Sequence, residues 1–317
     1  MTRSLAGKHA APDAPPGLDG LTTEAGGEPF ADYDLRPTLE LVGLMRRADE
    51  AVLPAVAGAA GAIASAIDAI ADRLARPGRL IYVGAGSSGR IAALDAAECQ
   101  STFATPPGQV VALVAGGMAS APLAQEAAED DREGGEADIR ALGVRGNDAV
   151  VGVSASGRTP YVLGAIEAAR EAEALTVGIV SVDGSELGRI ADHEIAVVVG
   201  PEFLAGSTRL KAGTAQKVVL NTISTVSMIR LGKTFGNLMV DVVATNEKLR
   251  TRVRGIVQAA TGASPEEAED ALAASAGNAK VAIVSLLARV DAAEARERLA
   301  ASGDNVRLAL DPMRRAT

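Results

Sequence analysis

Two hydroxyl-rich loops and a few carboxylates are the residues of this chain best suited to do chemistry. The first loop, Gly84-Ala-Gly-Ser-Ser-Gly-Arg90, closes a short apolar run. Its glycines let backbone N–H groups approach an anion, and the helix expected to follow would point its positive N-terminus at it. Gly84, Gly86 and Gly89 also fit the G-x-G-x-x-G spacing of a dinucleotide site. That chemistry wants an acid at the end of the next strand to hold a ribose. The chain reads Val114-Ala-Gly-Gly117 there, with no acid. Ser87 and Ser88 instead add two hydroxyls, which suit a phosphate monoester. The plain alternative is a tight strand-to-helix turn with no ligand. The second loop, Ser154-Ala-Ser-Gly-Arg-Thr-Pro160, closes another apolar run, and Ser154, Ser156 and Thr159 could surround one phosphate. Ligands of doubly wound sheets bind outside the carboxyl ends of strands. Two such loops therefore point to a phosphorylated small molecule.

The acids would supply proton transfer. Asp95 and Glu98 stand one helical turn apart and share a face. Glu98 lies in the apolar context Leu94-Asp-Ala-Ala-Glu-Cys99. Partial burial there would raise a carboxyl's pKa and equip it as a general acid; the simpler alternative is a helix-end carboxylate with a structural partner. Glu126, Glu129, Asp130, Asp131 and Glu133 cluster around Arg132, and by spacing alone they read as a solvated helix face. Further on, Arg209, Lys211 and Lys217 could complement an anionic ligand. Ser207 and Thr208 sit where a long helix should begin and could cap it.

These groups need a scaffold, and the pattern of the chain describes one. Apolar runs fall near 80–83, 110–114, 149–153, 176–180 and 195–199, separated by helix-like segments. Continuous β-branched runs mean strands buried on both faces. Strand and helix in alternation predict an α/β fold with a doubly wound, five-stranded parallel sheet. Residues 1–30 are rich in Pro and Gly and read as a mobile tail. Residues 35–74 read as two helices broken near Pro54, with Val52, Val56, Ile63, Ile67 and Ile70 on one stripe. From about Ser207 the pattern is helical, and Ser264-Pro265 starts a helix as a cap and first-residue pair. The organisation is thus a tail at 1–30, an α/β domain with N-terminal helices at 31–235, and a helical region at 236–317. No internal repeat is evident.

Composition narrows the function. The net charge of −9 opposes a nucleic-acid backbone as partner, and aromatics at 2% leave few rings for stacking on bases. The apolar stretch from Ala51 to Ile67 is mostly Ala and Gly, so it reads as a buried helix of a soluble protein rather than a membrane span. One cysteine, Cys99, excludes an internal disulfide framework, and the cytoplasm is the expected compartment. His9 and His193 alone leave little room for a histidine-rich metal site or a histidine-based triad.

The segments YVGAGSSGR, LDAAEC, EAAEDDREGG, ASGRTPYV, GSTRLKAGTAQK and FGNLMVDVVATNEKL together resemble the N-acetylmuramic acid 6-phosphate etherase family. The resemblance runs from about Arg79 to Leu249 and more loosely to the C-terminus. It implies a sugar isomerase (SIS) domain and a homodimer that uses neither metal nor nucleotide cofactor. The implied substrate is an amino-sugar phosphate, from which the family removes the C3 D-lactyl ether. Carried onto this sequence, the family's two active-site acids fall on Glu98 and Glu129. Ser87, Ser88, Ser156 and Thr159 would hold the 6-phosphate, with Gly86, Ser154, Ser207, Thr208, Arg209 and Lys211 as further substrate contacts. The chain departs from the family in GSSGR for GTSGR, in QSTF for PPTF after Cys99, and in an Asn missing from TEAGGEPF. Two other functions share much of this pattern. An aldose–ketose isomerase of the same fold would share the phosphate loops but need no acid for a leaving group. A non-enzymatic sugar-phosphate sensor, like the related glucokinase regulatory protein, would need neither acid.

Overall fold

A computed structural model describes residues 33–118, 127–242 and 247–311; the expected tail at 1–30, with His9, lies outside them, as does Glu126. Contacts divide the chain into two compact units. The first runs to Ala96 and resumes over Val111–Ile223; the second takes Ala97–Val110 and the residues from Ser224 onward.

In the first unit, β1 (Leu80–Gly84), β2 (Val110–Val114), β3 (Ala149–Val153), β4 (Leu175–Val180) and β5 (His193–Ala196) line up as β2-β1-β3-β4-β5. This is the expected five-stranded parallel sheet. Every residue of β1, β3 and β4 is buried, which is why their apolar runs do not alternate. β5 stops short of the expected 199. Its partner β4 ends at Val180, opposite Ala196, and after Val197 N donates to Val180 O at 2.8 Å the ladder stops. Ile81, Val83 and Val150 join a core with Val162, Ile166 and Leu187 on one face. Tyr82 points to the other face, where its hydroxyl donates to Asp95 of the helix Gly86–Phe103 at 3.0 Å. Helices thus flank both faces.

The N-terminal helices differ from expectation. Among the described residues there are three, Thr38–Asp49, Val52–Gly58 and Ala60–Ala75, and the breaks fall around Ala51 and at Ala59 rather than at Pro54. Pro54 lies in the first turn of its helix, where a missing N–H costs no internal hydrogen bond. The stripe Ile63, Ile67 and Ile70 is buried as expected. Among the described residues, no single helix is long and apolar enough to cross a membrane.

A polar clasp joins the starts of β1 and β3. Arg79 Nη2 lies 2.6 Å from Asp148 Oδ2, and the backbone N–H groups of Arg79 and Arg145 each donate to that carboxylate at 2.9 Å. Burial pushes the Asp148 pKa up, but the guanidinium and the two N–H donors more than offset this and hold it below its ordinary value. A depressed folded pKa stabilises above the unfolded value and is lost as pH falls through the folded one. Urea melts should therefore show the native chain losing stability below about pH 4. Asp148→Asn should be weaker at pH 7 yet lose less of its remaining stability on acidification. Parallel pH dependences would remove the clasp from the acid response.

The second unit contains the hairpin Thr234–Phe235 and Leu238–Met239, followed by the helices Glu247–Thr261, Pro265–Ala274, Ala279–Ala288, Ala292–Ala301 and Val306–Leu310. Contrary to the sequence expectation, these helices carry an internal repeat 27 positions long, from Ser264 to Asp291. Ser264 caps its helix by accepting from Glu267 N, and Asp291 accepts from Glu294 N. Asn278 accepts from Val281 N, and its counterpart Asn305 accepts from Leu308 N. Gly277 N and Asp304 N each donate at 2.8 Å to equivalent carbonyls, Leu272 O and Leu299 O. Gly262 and Arg289, also 27 apart, both end helices with positive φ, at 74° and 55°. Ala268 and Ala295, and Ala282 and Ala309, are all fully buried. Several matched positions keep their residue, as in Leu272-Ala-Ala-Ser275 and Leu299-Ala-Ala-Ser302, but these are small, common residues that carry little signal in an alanine-rich chain, and the positions that bound the elements vary. Caps interchange Ser with Asp, and left-handed positions interchange Gly with Arg or Asp.

Candidate active site

The strand order decides which loops meet. β1 and β3 are neighbours, with Gly84 opposite Val153, so the two hydroxyl-rich loops leave the sheet side by side. In the first loop, a Cβ on Gly84 would come within 2.8 Å of Gly89 N, and one on Gly89 within 2.7 Å of Gly84 O. Only glycine at both positions lets the strand turn this tightly into the helix Gly86–Phe103. Ser87 and Ser88 lie half-buried in that helix's first turn.

The second loop is a hydroxyl cluster. Ser154 Oγ lies 2.8 Å from Thr159 Oγ1 and 3.4 Å from Ser156 Oγ, and it accepts from Gly157 N at 3.0 Å. Ser154 and Thr159 are buried; Ser156 is half-buried and accepts from Arg158 N at 3.3 Å. Thr159 is the N-cap residue of the helix Pro160–Glu171, with Pro160 at its first position as the sequence predicts.

Glu129 belongs with the first loop. It sits in a helical turn at 127–129, half-buried, and its Oε2 lies 3.8 Å from where a Gly86 Cβ would stand. Asp131, in the same acidic run, has a structural role: it caps the helix Arg132–Ala141 by accepting from Gly134 N at 2.8 Å. Glu98 departs from expectation. It belongs to the second unit and is exposed, because on its helix the buried face falls at Ala92, Asp95, Ala96 and Cys99. The buried carboxylate of that segment is Asp95, whose Oδ1 lies 4.0 Å from Lys217 Nζ.

The basic segment is built differently from its sequence reading. The long helix starts at Lys211, not at Ser207 or Thr208, and runs to Arg230. Its cap is Glu202, fully buried, whose two carboxylate oxygens accept from Lys211 N and Ala212 N at 2.9 Å each. Sequence reasoning missed Glu202 because the carboxylate folds back across nine residues, with no local capping spacing to signal it. Lys211 is buried and donates to Val199 O at 2.7 Å, and burial lowers its pKa. Its ammonium thus braces the helix start from inside the fold. Lys217 donates to Asn221 Oδ1 at 2.6 Å, and Arg209 is exposed. Ser207 and Thr208 are half-buried in the turn before the helix. His193 opens β5, with Nδ1 3.4 Å from Ser65 Oγ.

The five-stranded parallel sheet with its two serine loops on adjacent strands is the fold of a SIS-type domain, as matches to family models show. The SIS domain family model matches residues 133–225, and the model for the glucokinase regulatory protein N-terminal SIS domain matches residues 62–170. The chain is 58% identical to an N-acetylmuramic acid 6-phosphate etherase of Rubrobacter xylanophilus, over 94% of this chain and 98% of that one. It is 55% identical to the protein of that name in Streptomyces avermitilis, over 92% and 94%. For Escherichia coli O127:H6 the figures are 49%, 93% and 99%. The chain belongs to the N-acetylmuramic acid 6-phosphate etherase family.

Proposed function

We propose that this chain cleaves the C3 ether of N-acetylmuramic acid 6-phosphate, yielding N-acetylglucosamine 6-phosphate and D-lactate. The observation that carries the reading is 58% identity to the Rubrobacter etherase across 98% of that protein. The reaction makes the chain a carbon–oxygen lyase of amino-sugar metabolism.

A C3 ether leaves poorly until the C2 proton is acidic, and the aldehyde of the open-chain sugar makes it so. A base takes the C2 proton. The pair is first held as an enolate with the C1 carbonyl; it then forms the C2–C3 double bond as the C3–O bond breaks, and an acid protonates the departing lactate oxygen. Water then adds at C3 and a proton returns to C2. Two carboxyls in complementary protonation states suffice for these transfers. Glu98 is assigned as the acid and Glu129 as the C2 base. Glu98 is exposed in the single chain, so its acid role rests on what covers it in the assembled, substrate-bound enzyme. Ser87, Ser88, Ser156 and Thr159 hold the 6-phosphate and so fix C2 and C3 against the acids. Gly86 and Ser154 complete the two loops, while Ser207, Thr208 and Arg209 stand ready for the rest of the sugar. Lys211 acts on that segment from within, as a brace.

The direct test is incubation with N-acetylmuramic acid 6-phosphate and an assay for D-lactate; its absence at micromolar enzyme would overturn the reading. The match to the regulatory-protein domain supports a second reading, a sugar-phosphate sensor, which would bind substrate without releasing lactate.

Ser156 offers a sharper test of the phosphate loop. A hydrogen bond to a charged group contributes ~1.5–3 kcal/mol. Ser156→Ala should raise the calorimetric Kd for the phosphorylated sugar by roughly ten- to a hundredfold. An unchanged Kd would remove Ser156 from the phosphate site.

The working form in this reading is a cytoplasmic homodimer, consistent with the single cysteine and the family assignment. Light scattering at micromolar concentration should return twice the chain mass of 32.0 kDa. A monomer mass would remove the dimer.

A further inference from the structure

The C-terminal repeat gives a task to two basic residues that the reaction leaves unused. Lys280 and Arg307 are equivalent, each the second residue of its helix, Ala279–Ala288 or Val306–Leu310. Lys280 is only 1% exposed. Its ammonium lies 2.6 Å from Asp241 Oδ2 and 2.7 Å from Asp304 Oδ2, and donates to Asp304 O at 2.9 Å. Lys233 Nζ meets the same Asp241 oxygen at 3.4 Å. Lys233 and Asp241 bracket the hairpin Thr234–Phe235 and Leu238–Met239. Arg307 stacks its guanidinium over the ring of Phe235 in that hairpin, 4.9 Å from the centroid. Both copies of the repeat therefore turn the same position toward one segment, 233–241.

An earlier helix on the same 27-residue spacing, Glu247–Thr261, which ends at Gly262 as Ala279–Ala288 ends at Arg289, supplies a control. Its equivalent position is Val253, which is buried and lines a cleft of about 390 Å³ with Arg250, Leu272 and Gly277. The helical packing thus accepts an apolar residue here, and burying an ammonium costs desolvation free energy that Val avoids. The charge on Lys280 answers to its partners, not to the repeat. The hairpin in turn needs outside support. Each strand is two residues long, too short to be stable alone, and its tip at Gly236 and Asn237 is exposed.

We infer that Lys280 and Arg307 are positioning residues, a paired clamp from the two repeat copies that holds the 233–241 segment in place. The test is hydrogen–deuterium exchange by mass spectrometry on the full chain. Lys280→Met would strand Asp241, so it is made together with Asp241→Asn; Arg307→Leu is made separately. Each should speed exchange of peptides covering 233–242 by about tenfold or more while peptides from 265–301 keep their protection. Lys280→Arg should retain most of the hairpin's protection. Unchanged exchange at 233–242 in both variants would overturn the clamp. So would faster exchange spread evenly through 265–301, which would make the two residues general supports of the helical unit.

Discussion

Glu98→Gln should release D-lactate about 10²–10⁴-fold more slowly than the native chain while still exchanging the C2 proton of the substrate with solvent deuterium. Glutamine keeps the shape of the side chain and removes the transferable proton. That range equals about 3–5 kcal/mol of barrier, the ordinary contribution of one general acid. Exchange survives because proton removal at C2 comes before the ether breaks and draws on a different carboxyl. Lactate by coupled assay and deuterium at C2 by proton NMR read the two steps separately. Loss of both would move Glu98 to the C2 base or to binding. Near-native lactate release would remove it from the mechanism.

Glu129→Gln should abolish both signals together. With no base at C2 there is no exchange, and with no carbanion character at C2 lactate has no route out. Each should fall by roughly 10²–10⁴-fold. The position supports the assignment, since the carboxylate stands beside the Gly86 turn of the first serine loop. Substrate Kd by calorimetry should stay within a few-fold of native, which separates a lost proton transfer from a lost anchor. If exchange persists while lactate release falls, Glu129 acts after C2 deprotonation and the two roles must be exchanged. Asp131, two residues on, is the control. Its oxygen caps the helix Arg132–Ala141, so Asp131→Asn, which keeps a capping oxygen, should leave both signals near native.

Much of this architecture is legible along the chain because its causes are local. The runs at 80–83, 110–114 and 149–153 became strands within a residue or two, since an unbroken β-branched run can be satisfied only by burial on both faces. Gly84 and Gly89 were readable as a close turn, and Ser264-Pro265 as a helix start, because caps and tight turns depend on residues a few positions apart.

The remainder depended on distance. The order β2-β1-β3 brings the two serine loops together, and no spacing states which strands are neighbours. Glu202 caps a helix nine residues away, and Asp95 rather than Glu98 takes the buried face of their shared helix. Ala97 and Glu98 look apolar-flanked in sequence, but a helix turns about 100° per residue, so linear neighbours diverge in space. The repeat of 27 positions emerged only when caps, left-handed turns and buried alanines coincided, because the residues it keeps are small and common while the caps and turns that bound its elements change identity. By itself, the sequence determined the strands of the sheet to within a few residues, the local caps such as Ser264 and the family, all set by short-range chemistry. Tertiary structure alone decided which loops lie side by side, which carboxylate is buried and where Lys280 finds its partners, because those outcomes turn on contacts between residues far apart in the chain.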